Sequence, residues 1–121
     1  MAAEPGFTTK RIYAPLSPED GTRVLIMRLW PRGIRKEKVD LWLKELGPVK
    51  ELLREFLDKK IDWAGYTPRY LAGLARPEAQ EAIARVRELA RDGRVTLLCG
   101  CADETHCHRS LLAAYLKAPR A

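Results

Sequence analysis

Arg23-Val-Leu-Ile-Met-Arg-Leu-Trp30 and Arg94-Val-Thr-Leu-Leu-Cys99 are the two stretches on which the fold turns. The first is almost continuously apolar and lies between Gly21 and Pro31. The second is bounded by Asp92-Gly93 and Gly100. Short apolar runs closed by turn residues read as strands covered on both faces. The long helical stretch between them permits a parallel crossover. A third β-rich segment, Thr8 to Tyr13, precedes a turn-like stretch from Ala14 to Gly21, so it pairs either as a hairpin or through a short crossover.

Helical patterns fill the remainder. Lys36 to Leu46 aligns Val39, Trp42, Leu43 and Leu46, and Gly47-Pro48 stops it. Pro48 to Asp58 aligns Leu52, Leu53, Phe56 and Leu57. Thr67-Pro68 reads as an N-cap and first helical residue ahead of Tyr70, Leu71 and Leu74, with Asp62 to Tyr66 a helical turn or a loop. Pro77 to Arg91 carries the stripe Ile83, Val86, Leu89 and Ala90, and a last helix runs from about Thr105 to Lys117. Strands separated by helices predict an α/β fold: a small layered domain with a mainly parallel short sheet flanked by helices, over residues 10–117, after a tail of residues 1–9.

With 121 residues the chain has room for one core. Its 46 % hydrophobic and 31 % charged residues exclude wholesale disorder. No apolar run approaches the roughly 20 residues of a membrane span, and Met1 to Lys10 has no apolar signal region. The 3 cysteines sit together at Cys99, Cys101 and Cys107, an odd and clustered set that reads as a local site in a reducing, cytoplasmic setting. The net charge of +6, concentrated after Arg28, favours a phosphate-bearing partner, either a phosphorylated small molecule or a nucleic acid, over a membrane surface. A merely solvated arginine-rich surface accounts for the charge equally well.

Ligands of open α/β sheets bind beyond the carboxyl ends of the strands. There the first strand offers Arg28 and Arg32, and the second offers Cys99, Cys101, Asp103, His106, Cys107, His108, Arg109 and Ser110. If the two strands are parallel neighbours, every cysteine and histidine of the chain falls in one cleft. Strand alternation places Val24, Ile26, Arg28 and Trp30 on one face, with Asp103 or a ligand anion as partner for Arg28. Three chemistries compete. Arg28, Arg32, Arg109 and Ser110 at a helix start suit an anion, with Cys107 and His108 shaping the pocket. Cys107 suits a nucleophilic or redox thiol, with His106 or His108 as base and Asp103 as a further acid–base group. Cys99, Cys101, Cys107 and a histidine suit zinc or iron, although no finger spacing is present and consecutive His106, Cys107 and His108 do not easily converge on one ion. No cofactor is expected outright, zinc and iron stay open, and whether the chain is an enzyme stays open with them. Trp30, Trp42 and Trp63 suit packing better than base stacking.

The run Cys99-x3-Asp103-x3-Cys107-His108-Arg109-Ser110-Leu111-Leu112-Ala113 resembles the family called domain of unknown function 488. Lys10-Arg11-Ile12-Tyr13, Asp20-Gly21-x-Arg23-Val24-Leu25 and Arg28-Leu29-Trp30-Pro31-Arg32-Gly33 extend the likeness to its short YeaO-like branch, from about residue 10 to residue 117. The chain departs from the family pattern at Met27 and Cys101, where acidic residues are frequent. The resemblance implies the fold and the place of the site and names no reaction.

Overall fold

The computed structural model describes residues 6–101 and 106–117. Four strands form one sheet in the order β1-β4-β2-β3: β1 (Gly6–Arg11), β2 (Thr22–Leu25), β3 (Leu41–Trp42) and β4 (Arg94–Cys99). Every pairing is parallel, with Arg11 beside Cys99, Leu25 beside Leu98 and Val24 beside Leu41. The first strand is therefore joined by a crossover rather than a hairpin. It starts at Gly6, ahead of the β-rich segment read from Thr8, so the sheet reaches into the stretch 1–9 expected as a tail.

Four helices, α1 (Lys50–Leu57), α2 (Trp63–Gly73), α3 (Pro77–Asp92) and α4 (His108–Lys117), complete the domain. Their buried side chains pack with Val24, Ile26, Val95 and Leu97 in one core, on one face of the sheet. The opposite face, Ile12, Leu25 and Leu98, is covered by the chain after β2 through Met27, Trp30, Ile34 and Val39. Among the described residues no helix is long and apolar enough to cross a membrane.

Several elements differ from their sequence patterns, each for a tertiary reason. The run from Arg23 to Trp30 stays in the sheet only to Leu25. Ile26 still donates to the Leu98 carbonyl at 3.0 Å, but the Met27 carbonyl accepts from the Trp42 indole at 2.7 Å and the chain turns away. Trp30 consequently joins the face of Leu25, opposite Val24 and Ile26. Gly47 makes this bend possible, because a Cβ there would stand 2.6 Å from the Arg28 nitrogen.

The amphipathic segment Lys36 to Leu46 is not a helix. It forms a 3-10 turn at Lys36–Lys38, then β3, then a second turn at Lys44–Leu46. Asp40 and Leu43 donate to the Arg23 and Leu25 carbonyls, both at 2.9 Å, so bonding to β2 displaces the helical bonds. Val39 then packs on one face of the sheet while Leu43 and Leu46 pack on the other, a division an amphipathic helix cannot make. Trp30 and Trp42 meet edge to face at 5.4 Å, and both indole N–H groups are held by backbone carbonyls, which makes them packing groups.

Helix α2 begins at Trp63, not at Pro68. Asp62 caps it by accepting from the Gly65 N–H at 2.9 Å, and Pro68 lies inside on the solvent side. Tyr66 and Tyr70 therefore share one helix and stack at 6.1 Å. Helix α4 begins at His108; Thr105, the expected cap, lies outside the described residues.

Beneath β2 sits a buried ionic group. Asp20 bonds Lys10 at 3.0 Å and pairs with Arg23, whose Nε donates to the Lys38 carbonyl at 2.7 Å. Gly21 closes this turn at φ +64°, where any Cβ would collide with the Arg94 carbonyl. Burial alone raises the Asp20 carboxyl pKa, but bonds from Lys10, the Ser17 N–H and Arg23 outweigh it and the net shift is downward. Asp20→Ala strands Arg23 as an uncompensated buried charge and is expected to cost about 3 kcal/mol at neutral pH. A carboxylate with a depressed folded pKa stabilises above its unfolded value and loses that contribution as pH falls below roughly 3.9 toward the folded value. Urea denaturation should therefore show a gap between wild type and variant that narrows in acid; equal stability at neutral pH contradicts this assignment.

Candidate functional site

Strands β2 and β4 are parallel neighbours, so both carboxyl ends open on the same edge. From there the chain diverges. The segment after β2 continues outward to β3, and α4, after β4, packs against β1 on the other side. A crevice between strands whose connections part in this way is the ligand position of open α/β sheets.

Residues at i and i+2 of an extended chain share a face. Cys99 and Cys101 accordingly leave β4 on the helical side, with their sulfurs 3.6 Å apart. Cys107 and His108 come from the start of α4. His108 Nδ1 lies 3.7 Å from Cys99 Sγ and 3.9 Å from Cys107 Sγ. All four donor atoms, three sulfurs and Nδ1, lie within 4.8 Å of one another.

Two buried basic residues lock this arrangement. His108 Nε2 lies 2.6 Å from the Ile26 carbonyl. A carbonyl can only accept, so Nε2 carries a proton and donates to it, and Nδ1 is the ring nitrogen that faces the cysteines. Arg109, 3 % exposed, donates from Nη1 to the Cys101 carbonyl at 2.8 Å and the Cys99 carbonyl at 3.4 Å, while its buried Nε has no partner. The Arg109 side chain thus ties the end of β4 to α4.

The three thiols do not titrate alike. Hydrogen bonds from Cys107 and Cys99, outweighing burial, hold the Cys101 thiol far below its ordinary value, with His108 and Arg109 adding to the effect. The reverse of those bonds pushes Cys99 and Cys107 up. Cys101 is half-buried, whereas Cys99 and Cys107 are 2 % and 1 % exposed.

The other expected residues disperse. His106 is exposed and meets Trp63 edge to face at 5.3 Å, so His108, not His106, is the histidine of the cluster. Arg28 is half-buried and donates to the Gly47 and Pro48 carbonyls at 3.0 and 3.3 Å. Arg32 is exposed, and its carbonyl accepts from Tyr13 at 3.2 Å. Ser110 is half-buried in the first turn of α4, and its N–H donates to the Cys107 carbonyl at 3.1 Å. Asp103 lies outside the described residues. Of the three arginines only Arg28 lines the cavity of about 380 Å³ that opens beside the cluster, together with Cys99, Cys101, His106, Cys107 and His108.

The strongest signal for the cluster is a Cys-x-Cys pair leaving a strand, followed by Cys-His at a helix start. The partner that orients the histidine, the Ile26 carbonyl, has no sequence signal, because any residue supplies a carbonyl. The apolar walls of the cavity, Leu53, Phe56 and Tyr66, have none either, since their patterns also serve a core.

Comparison with known proteins places the chain. The family model described as "Active DUF488-N3 subclade" matches residues 7–120. The chain is 38% identical over 110 residues to "Uncharacterized protein YeaO" of Escherichia coli (strain K12), covering 89% of this chain and 94% of that protein. It is 31% identical over 118 residues to "Uncharacterized protein Rv3073c" of Mycobacterium tuberculosis (strain ATCC 25618 / H37Rv), covering 96% and 98%. No solved structure matches it. With a family model matched along nearly its whole length and relatives aligned end to end, the chain belongs to the YeaO-like DUF488 family.

Proposed function

We propose that this protein binds one zinc-class divalent ion through Cys99, Cys101, Cys107 and His108 Nδ1. The observation that carries this reading is the convergence of four donor atoms within 4.8 Å, with the histidine's other nitrogen donating to a backbone carbonyl. Zinc–sulfur bonds of about 2.3 Å in a tetrahedron imply sulfur–sulfur edges of about 3.8 Å and slightly shorter sulfur–nitrogen edges. Three of the six separations, 3.6, 3.7 and 3.9 Å, lie near those edges, and all six are within 4.8 Å. A ligating histidine whose second N–H is held by a carbonyl is the usual outer arrangement of such sites.

Charge supports the same reading. Three thiolates and a divalent ion sum to one negative charge. Arg109 is buried against the Cys99 and Cys101 carbonyls with no carboxylate partner among the described residues, and its charge balances the site. Four protein ligands leave no open position, so the ion's role is to pin the segment between β4 and α4. Thiolate and imidazole donors suit zinc or iron over hard cations.

Metal analysis of untagged protein purified without added metal tests this. One zinc per chain is expected, lost in Cys107→Ser and in His108→Gln. Chelation should remove about 4 kcal/mol of linked stability and lower Tm by roughly 10 °C or more. Iron in place of zinc keeps the site and changes the metal. Metal-free protein whose Tm is indifferent to chelator overturns the reading.

A second reading, a reactive thiol, draws on the half-buried position of Cys101 beside the cavity. Exposure assigns the reactivity to Cys101 rather than to Cys107. In metal-free protein, iodoacetamide should label Cys101 first and Cys99 and Cys107 only on unfolding, and added zinc should protect all three, as peptide mass mapping can read. An inert Cys101 in metal-free protein removes this second reading.

A further inference from the structure

We propose that the cavity at the carboxyl ends of β2 and β4 is a binding site for a small organic anion, a carboxylate carried on an apolar chain or ring. The inference does not depend on the metal: the cluster forms only one wall of the cavity, and the two sites have separate readouts.

Its size and walls define the body of the ligand. The cavity of about 380 Å³ is lined by Met27, Leu29, Leu53, Phe56, Leu57 and Tyr66 besides the cluster. That volume falls in the roughly 300–1,000 Å³ range of small-ligand sites, which are mostly apolar with a few placed polar groups. Leu29 and Leu57, 63 % and 68 % exposed, belong to this lining, so apolar surface is left in water where a ligand would cover it.

The charged groups define its head. Arg28 and Lys50 line the cavity, and no Asp or Glu does among the described residues. Two backbone carbonyls hold the Arg28 guanidinium in place and use two of its five N–H donors. No described carboxylate pairs with it. Burial destabilises the Arg28 charge and Arg76 adds repulsion; Glu45 and Glu78 offset this only in part, and an anionic head would offset it further. A half-buried cation held by neutral carbonyls beside an apolar pocket is complementary to a carboxylate with an apolar tail. The mostly apolar walls favour a carboxylate on an apolar tail over a long polyphosphate or a nucleic-acid strand.

The test is an amide NMR titration of the full chain as purified, with phenylacetate, its neutral isostere phenylacetamide, and inorganic phosphate. Phenylacetate is expected to bind saturably and to shift the amides of Met27 to Leu29 and Leu53 to Leu57. Phenylacetamide should bind about tenfold more weakly, the scale of one charge-assisted hydrogen bond. Leu53→Trp, which fills the cavity, should abolish binding while retaining a folded spectrum and the metal content of the wild type. Lys50→Glu, at an exposed position, should weaken phenylacetate and leave phenylacetamide unchanged. Absence of saturable binding, equal affinity for acid and amide, or phosphate binding as tightly as phenylacetate overturns the proposal, whatever the metal content.

Discussion

The hydrogen bond from His108 to the Ile26 carbonyl joins the first residue of α4 to the end of β2, across 82 positions of sequence. Both groups are buried, so leaving either unpaired would cost about 1–3 kcal/mol. The bond fixes the ring orientation at the start of α4 and places a proton on Nε2. Once Nε2 is committed to Ile26, Nδ1 faces Cys99 and Cys107. Arg109 performs the matching task one residue later, by drawing the Cys99 and Cys101 carbonyls toward the same helix. Two adjacent side chains of α4 thus convert a strand end and a helix start into one four-donor cluster.

That cluster depends in turn on sheet order. Because β4 is inserted between β1 and β2, its carboxyl end lies beside that of β2 rather than at an edge. The departing chains then separate, and the space between them is closed from one side by α1 and α2, whose Leu53, Phe56 and Tyr66 line the cavity. The ionic group of Asp20, Arg23 and Lys10 works on the opposite face, where it holds the turn before β2 and so the strand's entry into the sheet. The edge strand β3 contributes through Trp42, whose bond to the Met27 carbonyl directs the next residue, Arg28, to the cavity.

Much of this is legible in the amino acids. The apolar runs around Val24 and Val95 have the length and the flanking turns of buried strands, and their shared carboxyl edge follows from the parallel helical crossover. The gathering of every cysteine and histidine at that edge follows from position alone. The segment Lys36 to Leu46 is not legible, because Val39, Trp42, Leu43 and Leu46 satisfy a helical period as well as they satisfy a strand flanked by turns; only pairing with β2 decides. Pro68 misleads for a related reason: a proline on the exposed side of a helix loses a bond that water replaces, so it need not mark a boundary. Which histidine joins the cysteines, and whether Arg28 and Arg109 face a ligand or a carbonyl, depend on backbone oxygens that carry no residue signature.

The central claim is that three cysteines and one histidine form a preset tetrahedral metal site. Zinc K-edge X-ray absorption on untagged, zinc-loaded protein tests it most directly. The expected first shell is three sulfurs at about 2.3 Å and one nitrogen at about 2.0 Å. A shell dominated by oxygen, or one unchanged when His108 is replaced by glutamine, would contradict it.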